Sequence, residues 1–308
     1  MNKIILPQEF NYIAAFLTFA CQLRCPYCIN HHGGDLVKKR RMTGQDWIKA
    51  INRIEPRPDL PISIQGGETT VHKDFYEIIN SIRADMPIDL LSNLECNIDE
   101  FMDRIPANRI KRESPYASIR VSYHIGQSNR DILFKKVRRM LDYGYHIGIW
   151  TVTHPDQVEH VTQSKALAES MGIDFRLKEF LGPHKGVVYG TFRYPDAVNS
   201  FSLRLCDCKT TEFLIDPTGD VYRCHSDLYA RRTPIGNMAD EQGIPRLGEF
   251  RKCGVYGACN SCDLKIKNNR FQQWGYSSVE IKNISEPIGP NPHHIQEVEN
   301  TYGKHDST

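Results

Sequence analysis

The chain has 308 residues, of which 40% are hydrophobic and 25% charged, with a formal net charge of +2. This is the composition of a folded protein long enough to bury a full core, with length suggesting one large domain and a smaller one. The near-neutral charge gives no reason to expect nucleic acid or an anionic membrane as the main partner. A largely apolar run of ten residues, 12–21, is about half of a bilayer-spanning helix. The N-terminus lacks the long apolar region and cleavage site of a secretory signal. A cytoplasmic protein with no membrane partner is expected.

Ten cysteines in a reducing compartment point to metal rather than disulfides. Nine of them fall at 21–28 and 206–262; Cys96 stands apart and reads as a small buried residue.

Taken in order, strand-like runs alternate with helical ones to about residue 180. The first strand covers 12–20 and is followed by Cys21-Gln22-Leu23-Arg24-Cys25-Pro26-Tyr27-Cys28. His31-His32-Gly33-Gly34 and the basic run 38–41 come next, the latter expected as a solvated face. Thr43 and Asp46 are placed to cap a helix over 45–54. Further strands are predicted at 61–65, 88–92, 117–123, 146–152 and 174–180, with helices at 71–83, 98–104, 131–143 and 157–171. Six β–α repeats with short connections imply a parallel sheet with right-handed crossovers. Periodicity permits a partial (β/α)6 TIM-like barrel or an open doubly wound sheet. Either form builds its site at the carboxyl ends of the strands.

Residues 1–180 are therefore expected as the core domain and 181–205, without helical period, as a linker. A small cysteine-rich unit of hairpin and helix is expected over 206–283, and a mobile polar tail over 284–308 that includes His293 and His294. In the second unit Asp216-Pro217-Thr218-Gly219 is a hairpin turn that brings Cys224 back towards Cys206 and Cys208. Cys253, Cys259 and Cys262 follow with C-x5-C-x2-C spacing, so a four-thiolate site for zinc or iron–sulfur is chemically reasonable. Residues 263–267 and the aromatic stretch 271–276 are expected as ordinary core and surface.

Three cysteines spaced C-x3-C-x2-C crowd too closely for disulfides among near neighbours, but suit a loop around one inorganic cube. A zinc knuckle or scattered structural thiols is the plain alternative. The spacing of Cys21, Cys25 and Cys28, with Tyr27 before the third, resembles the signature of the radical S-adenosylmethionine (radical SAM) superfamily. Gly66-Gly67-Glu68, after the second strand, resembles the element by which that family grips the SAM amino group. The resemblance implies the partial barrel as core fold and a [4Fe–4S] cluster on the three cysteines with one iron open to SAM. It also implies a 5′-deoxyadenosyl radical that takes hydrogen from a substrate.

By the same resemblance Tyr27, Gly66, Gly67, Glu68, Ser92, Asn93 and Ser122 would bind SAM. Tyr123, His124, His154 and Glu179 are expected to face the cavity, and Tyr123, His124 and Glu179 are the catalytic candidates. The segment from Cys206 or Cys208 through Gly219 to Cys224, with Cys259 and Cys262, resembles the SPASM and twitch extensions of the family. It has six cysteines where a full SPASM extension has seven, so one auxiliary [4Fe–4S] cluster is expected. Cys253 is left over.

An oxidoreductase with a small-molecule or peptide substrate follows, served by an electron donor such as flavodoxin or ferredoxin. Net oxidation assisted by the auxiliary cluster is the leading reaction class. A small molecule is favoured because only twenty residues precede Cys21, too few for a leader-recognition module. The alternatives are a peptide (RiPP) maturase forming a crosslink or thioether, a glycyl-radical activase, and a non-enzymatic iron–sulfur or zinc module.

Overall fold

The structure, a computed structural model, describes residues 2–32, 41–242, 244 and 247–294. The basic residues 38–40, Gly33-Gly34 and the tail beyond 294 lie outside the described residues, as do the side chains of His31 and His32.

Strands β1 (Tyr12–Thr18), β2 (Ile62–Gly66), β3 (Ile88–Ser92), β4 (Ile119–Ser122), β5 (Ile147–Thr153) and β6 (Phe175–Glu179) pair in parallel, in chain order. The crossovers carry α1 (Gly44–Asn52), α2 (Phe75–Ser81), α3 (Ile98–Arg104), α4 (Ala107–Ile110), α5 (Arg130–Asp142) and α6 (Val158–Ser170). Local chemistry sets several boundaries. Thr43 and Asp46 form a reciprocal capping box on α1, and Asn97 and Asn129 cap α3 and α5.

Residue parity along the strands divides the sheet into two faces. Ile62, Ile64, Ile88, Leu90, Ile119 and Val121 enter the core under the helices. Their neighbours Ser63, Gln65, Asp89 and Arg120 line the concave side instead. One face is therefore a hydrophobic seal and the other a polar lumen. Among the described residues nine strands form this sheet, β1 to β6 in chain order and three later strands added beyond β1, and it does not close. The fold is a partial TIM-like barrel.

The remaining strands come from the chain beyond residue 181. Where a linker was expected, β7 (Gly182–His184) and β8 (Val187–Tyr189) form a hairpin. The expected boundary at 206 falls inside β9 (Ser202–Thr210). The Asp216 turn forms as the sequence requires: Asp216 Oδ1 accepts from Thr218 N at 2.7 Å, and Gly219 sits at φ +84. The hairpin it makes, β10 (Glu212–Ile215) and β11 (Asp220–Tyr222), is not confined to a separate unit. Phe213, Leu214 and Ile215 are all apolar and wholly buried, which suits a strand covered on both faces, and β10 pairs in parallel with β1. After α7 (His225–Ala230), β12 (Gly236–Asn237) completes that edge.

A second sheet gathers β13 (Arg251–Tyr256), β14 (Val279–Lys282) and β15 (Pro287–Pro290) on β9, with α8 (Ser261–Leu264) between β13 and β14. Residues 287–290, expected in a mobile tail, are thus held by β9; prolines are tolerated there because β15 lies at an edge. His294 stacks on Phe201 with ring centres 4.0 Å apart.

Candidate active site

The loop after β1 is fixed by the loop after β2. Gly67 N donates to Thr18 O at 2.7 Å and Glu68 N to Ala20 O at 2.8 Å. No side chain fits at this crossing. A Cβ on Gly66 would lie 2.0 Å from the Thr18 carbonyl oxygen, and one on Gly67 2.2 Å from that of Ala20. Gly66 also holds φ +153, a conformation that favours glycine. The two glycines therefore serve the cysteine loop directly, by letting its backbone lie flat on the end of β2.

Glu68 is 1% exposed. Its Oε1 accepts from Thr70 N, Thr70 Oγ1 and Ser92 Oγ, and its Oε2 from Asn93 N at 2.6 Å. Burial pushes its pKa up, against these donors. The carboxylate locks the end of β2 to the end of β3. Asn93 turns its Nδ2 to Cys21 Sγ at 3.6 Å, and Leu23 N donates to the same sulfur at 3.4 Å.

Cys25 is buried. Its thiol is pushed up to about 12, first by burial and then by the charges of Cys28 and Cys21. Three thiols that influence one another, with N–H donors aimed at one of them, suit a cationic metal core. Binding one would release their protons. The donor set fits an iron–sulfur cluster.

Tyr27 leaves the same loop to meet His124, its hydroxyl 3.1 Å from His124 Nδ1, and its ring centre lies 6.0 Å from that of His154. Burial, then the charge of Lys178, pushes His124 down to about 4, so its ring is neutral near pH 7. His154 packs in turn on Phe180 and His184, with ring centres at 4.8 and 4.7 Å. The cysteine loop thus faces an aromatic wall built from the ends of β4, β5 and β6 and from β7.

One catalytic expectation needs correction. Tyr123 does not face the cavity. It shares parity with Ile119 and Val121, is 2% exposed, packs edge-on against Phe134, and places its hydroxyl 3.0 Å from His160 Nε2 on α6. Glu179 does line the cavity, at its exposed rim, where it accepts from Thr191 Oγ1 at 2.9 Å. Ser122 keeps the parity of Arg120, on the lumen side.

The lumen is a cavity of about 750 Å³. Asp89, Arg120, Arg176 and Lys178 reach it from the strands; Lys265, Lys267, Arg270 and Trp274 close it from the segment expected to be ordinary core and surface. The readable signal was a charged side chain at inward positions of β3, β4 and β6, where Asp89, Arg120, Arg176 and Lys178 interrupt apolar residues.

The C-terminal cysteines separate into two surroundings. Cys206, Cys208, Cys253 and Cys259 share one cluster, and the charge of Cys208 acts on half-buried Cys224. Cys206 and Cys253 face each other as register partners across β9 and β13. Cys253, the residue left over in the sequence, belongs with this group. Cys262 instead lines the lumen beside Tyr229 and Lys265.

Comparison with known proteins adds family and relatives. The model of the family described as the radical SAM superfamily matches residues 16–154. Mycofactocin maturase MftC of Mycolicibacterium smegmatis is 22% identical over 292 residues, covering 80% of this chain and 74% of that protein. The MftC of Mycobacterium ulcerans is 22% identical over 296 residues, covering 80% and 78%. A solved structure of hexahistidine-tagged anSMEcpe with bound AdoMet superposes with TM-score 0.50 at 15% identity, covering 77% of this chain and 78% of that one, a likeness of fold.

Proposed function

Because this chain belongs to the radical SAM superfamily, we propose that it is a maturase that takes hydrogen from a peptide substrate held in the lumen, with net oxidation. The observation that carries the chemistry is the loop of Cys21, Cys25 and Cys28 pinned on Gly66 and Gly67. The choice of a peptide over a small molecule follows the relatives, which are named maturases and align with four fifths of the chain.

When bound, a three-thiolate [4Fe–4S] cluster with SAM supplies a 5′-deoxyadenosyl radical. Cys21, Cys25 and Cys28 would hold that cluster. Gly66 and Gly67 hold the cysteine loop against the end of β2, and Glu68 fixes Ser92 and Asn93, the latter beside Cys21. Ser122 stands on the lumen side of β4, where it can meet the cofactor's polar end. Tyr27 and neutral His124 form a hydrogen-bonded pair able to hold a proton at the lumen mouth.

An auxiliary [4Fe–4S] cluster would draw on Cys208, Cys224, Cys253 and Cys259, with Cys206 or Cys262 as a further donor. A flavodoxin or ferredoxin would supply the electron. The test is anaerobic incubation of the reduced, reconstituted protein with SAM: 5′-deoxyadenosine should form, and its absence would end this reading.

A further inference from the structure

The charges around the lumen do not balance. Asp89 is shared by Arg112 at 2.6 Å and Arg120 at 3.3 Å, and Glu212 by Lys267 at 2.8 Å and His225 at 3.2 Å. Arg270 is met by Asp59 at 2.6 Å, and Arg176 by Asp174 at 2.9 Å. Two cations remain. Lys178, on the inward side of β6, and Lys265, just after α8, line the cavity with no hydrogen-bond or ion-pair partner among the described residues. Glu179, the neighbouring acid, takes the Thr191 hydroxyl instead.

Two ammoniums that share a partly dehydrated cavity repel each other and recover little of the hydration they lose, so the arrangement is favourable only when an anion joins them. Burial, then Arg120 and Lys265, push Lys178 down to about 7, which is the response of a cation lacking its counter-ion. The pair also has a defined place. Lys178 lies on the last strand of the open barrel, and the backbone of Lys265 is bridged to Phe192 beyond that strand. Together they stand at the sheet's unpaired edge, beside Cys262.

We propose that the substrate carries an anionic oxygen group, a carboxylate or a phosphate, which docks between Lys178 and Lys265. The inference rests on the reading of the lumen as the substrate site. The anion fixes the substrate at the β6 edge and leaves the rest of the cavity for the reacting portion, so neutral analogues lose the anchor.

The reconstituted holoenzyme tests this without the natural substrate. Brief acetylation at neutral pH, read site by site by mass spectrometry, measures the accessibility of each amine. Millimolar succinate or inorganic phosphate should slow acetylation of Lys178 and Lys265 by roughly tenfold against sodium chloride of equal ionic strength. Neutral succinamide should not, and Lys252, exposed on β13, should be unaffected by all three. Lys178→Met should abolish the protection of Lys265.

Equal rates in succinate, phosphate and succinamide overturn the proposal. So does full protection by SAM alone that succinate cannot increase, which would give the lysines to the cofactor's carboxylate. A protein that forms 5′-deoxyadenosine yet shows no protection would fail this inference and leave the proposed activity standing.

Discussion

Gly67→Ala is the sharpest probe of how the cysteine loop is held. The new methyl would lie 2.2 Å from the Ala20 carbonyl oxygen and 2.6 Å from that of Phe19, whereas real Cβ contacts essentially never fall under 3.0 Å. The loop backbone must retreat by about 0.8 Å before it reaches even that floor. Retreat stretches two hydrogen bonds, Gly67 to Thr18 and Glu68 to Ala20, worth about 1 kcal/mol each. Forced overpacking adds about 1–3 kcal/mol. The total of about 3–5 kcal/mol falls on one loop and corresponds to a factor on the order of a hundred to a few thousand in the population of its closed form. After anaerobic reconstitution the variant should lose about four irons per chain and its binding of labelled SAM. Gly289→Ala, where an added methyl meets nothing within 4 Å, should keep both. Full iron and unchanged SAM affinity in Gly67→Ala would refute the claim that this crossing sets the cluster loop.

Three further outcomes follow from other parts of the molecule. Replacing Cys21, Cys25 and Cys28 by alanine should lower iron from about eight to about four per chain; zinc in place of the residual iron would defeat a redox role for the second site. Asp89→Asn leaves the Arg112 and Arg120 guanidiniums without their shared anion in the barrel wall. It should lower stability by about 3 kcal/mol in urea unfolding, and a loss under about 1 kcal/mol would contradict that account. His124, held down to about 4 from 6.5, binds a proton more tightly when unfolded. Its contribution is intact above pH 6.5 and is lost as pH falls towards 4, reaching on the order of 3 kcal/mol. His124→Gln should flatten that acid limb in metal-free protein, and an unchanged limb would show that other groups cause it.

What the sequence made legible, and what it did not, has one physical origin. Local rules act within a few residues, and they placed the β–α alternation, the Thr43 cap and the Asp216 turn. They also exposed the crowded thiols at 21–28, because spacing is all that such a loop needs. Parity was equally available: Tyr123 sits two residues beyond Val121 and so had to join the helical layer, yet its neighbour His124 drew it into the expected site. Strand pairing over long separations was not available.

Nothing between residues 180 and 212 says that Glu212–Ile215 will pair with β1, although a fully apolar strand demands cover on both faces. Once β10 is placed there, Glu212 at its start comes to the lumen, and Lys267 is brought to it at 2.8 Å. The cavity is therefore completed by a segment that looked like surface in the sequence. The same pairing that extends the sheet leaves Lys265 and Lys178 facing one space without an ion-pair partner among the described residues, and that is a property of the assembled barrel which no stretch of the chain contains by itself.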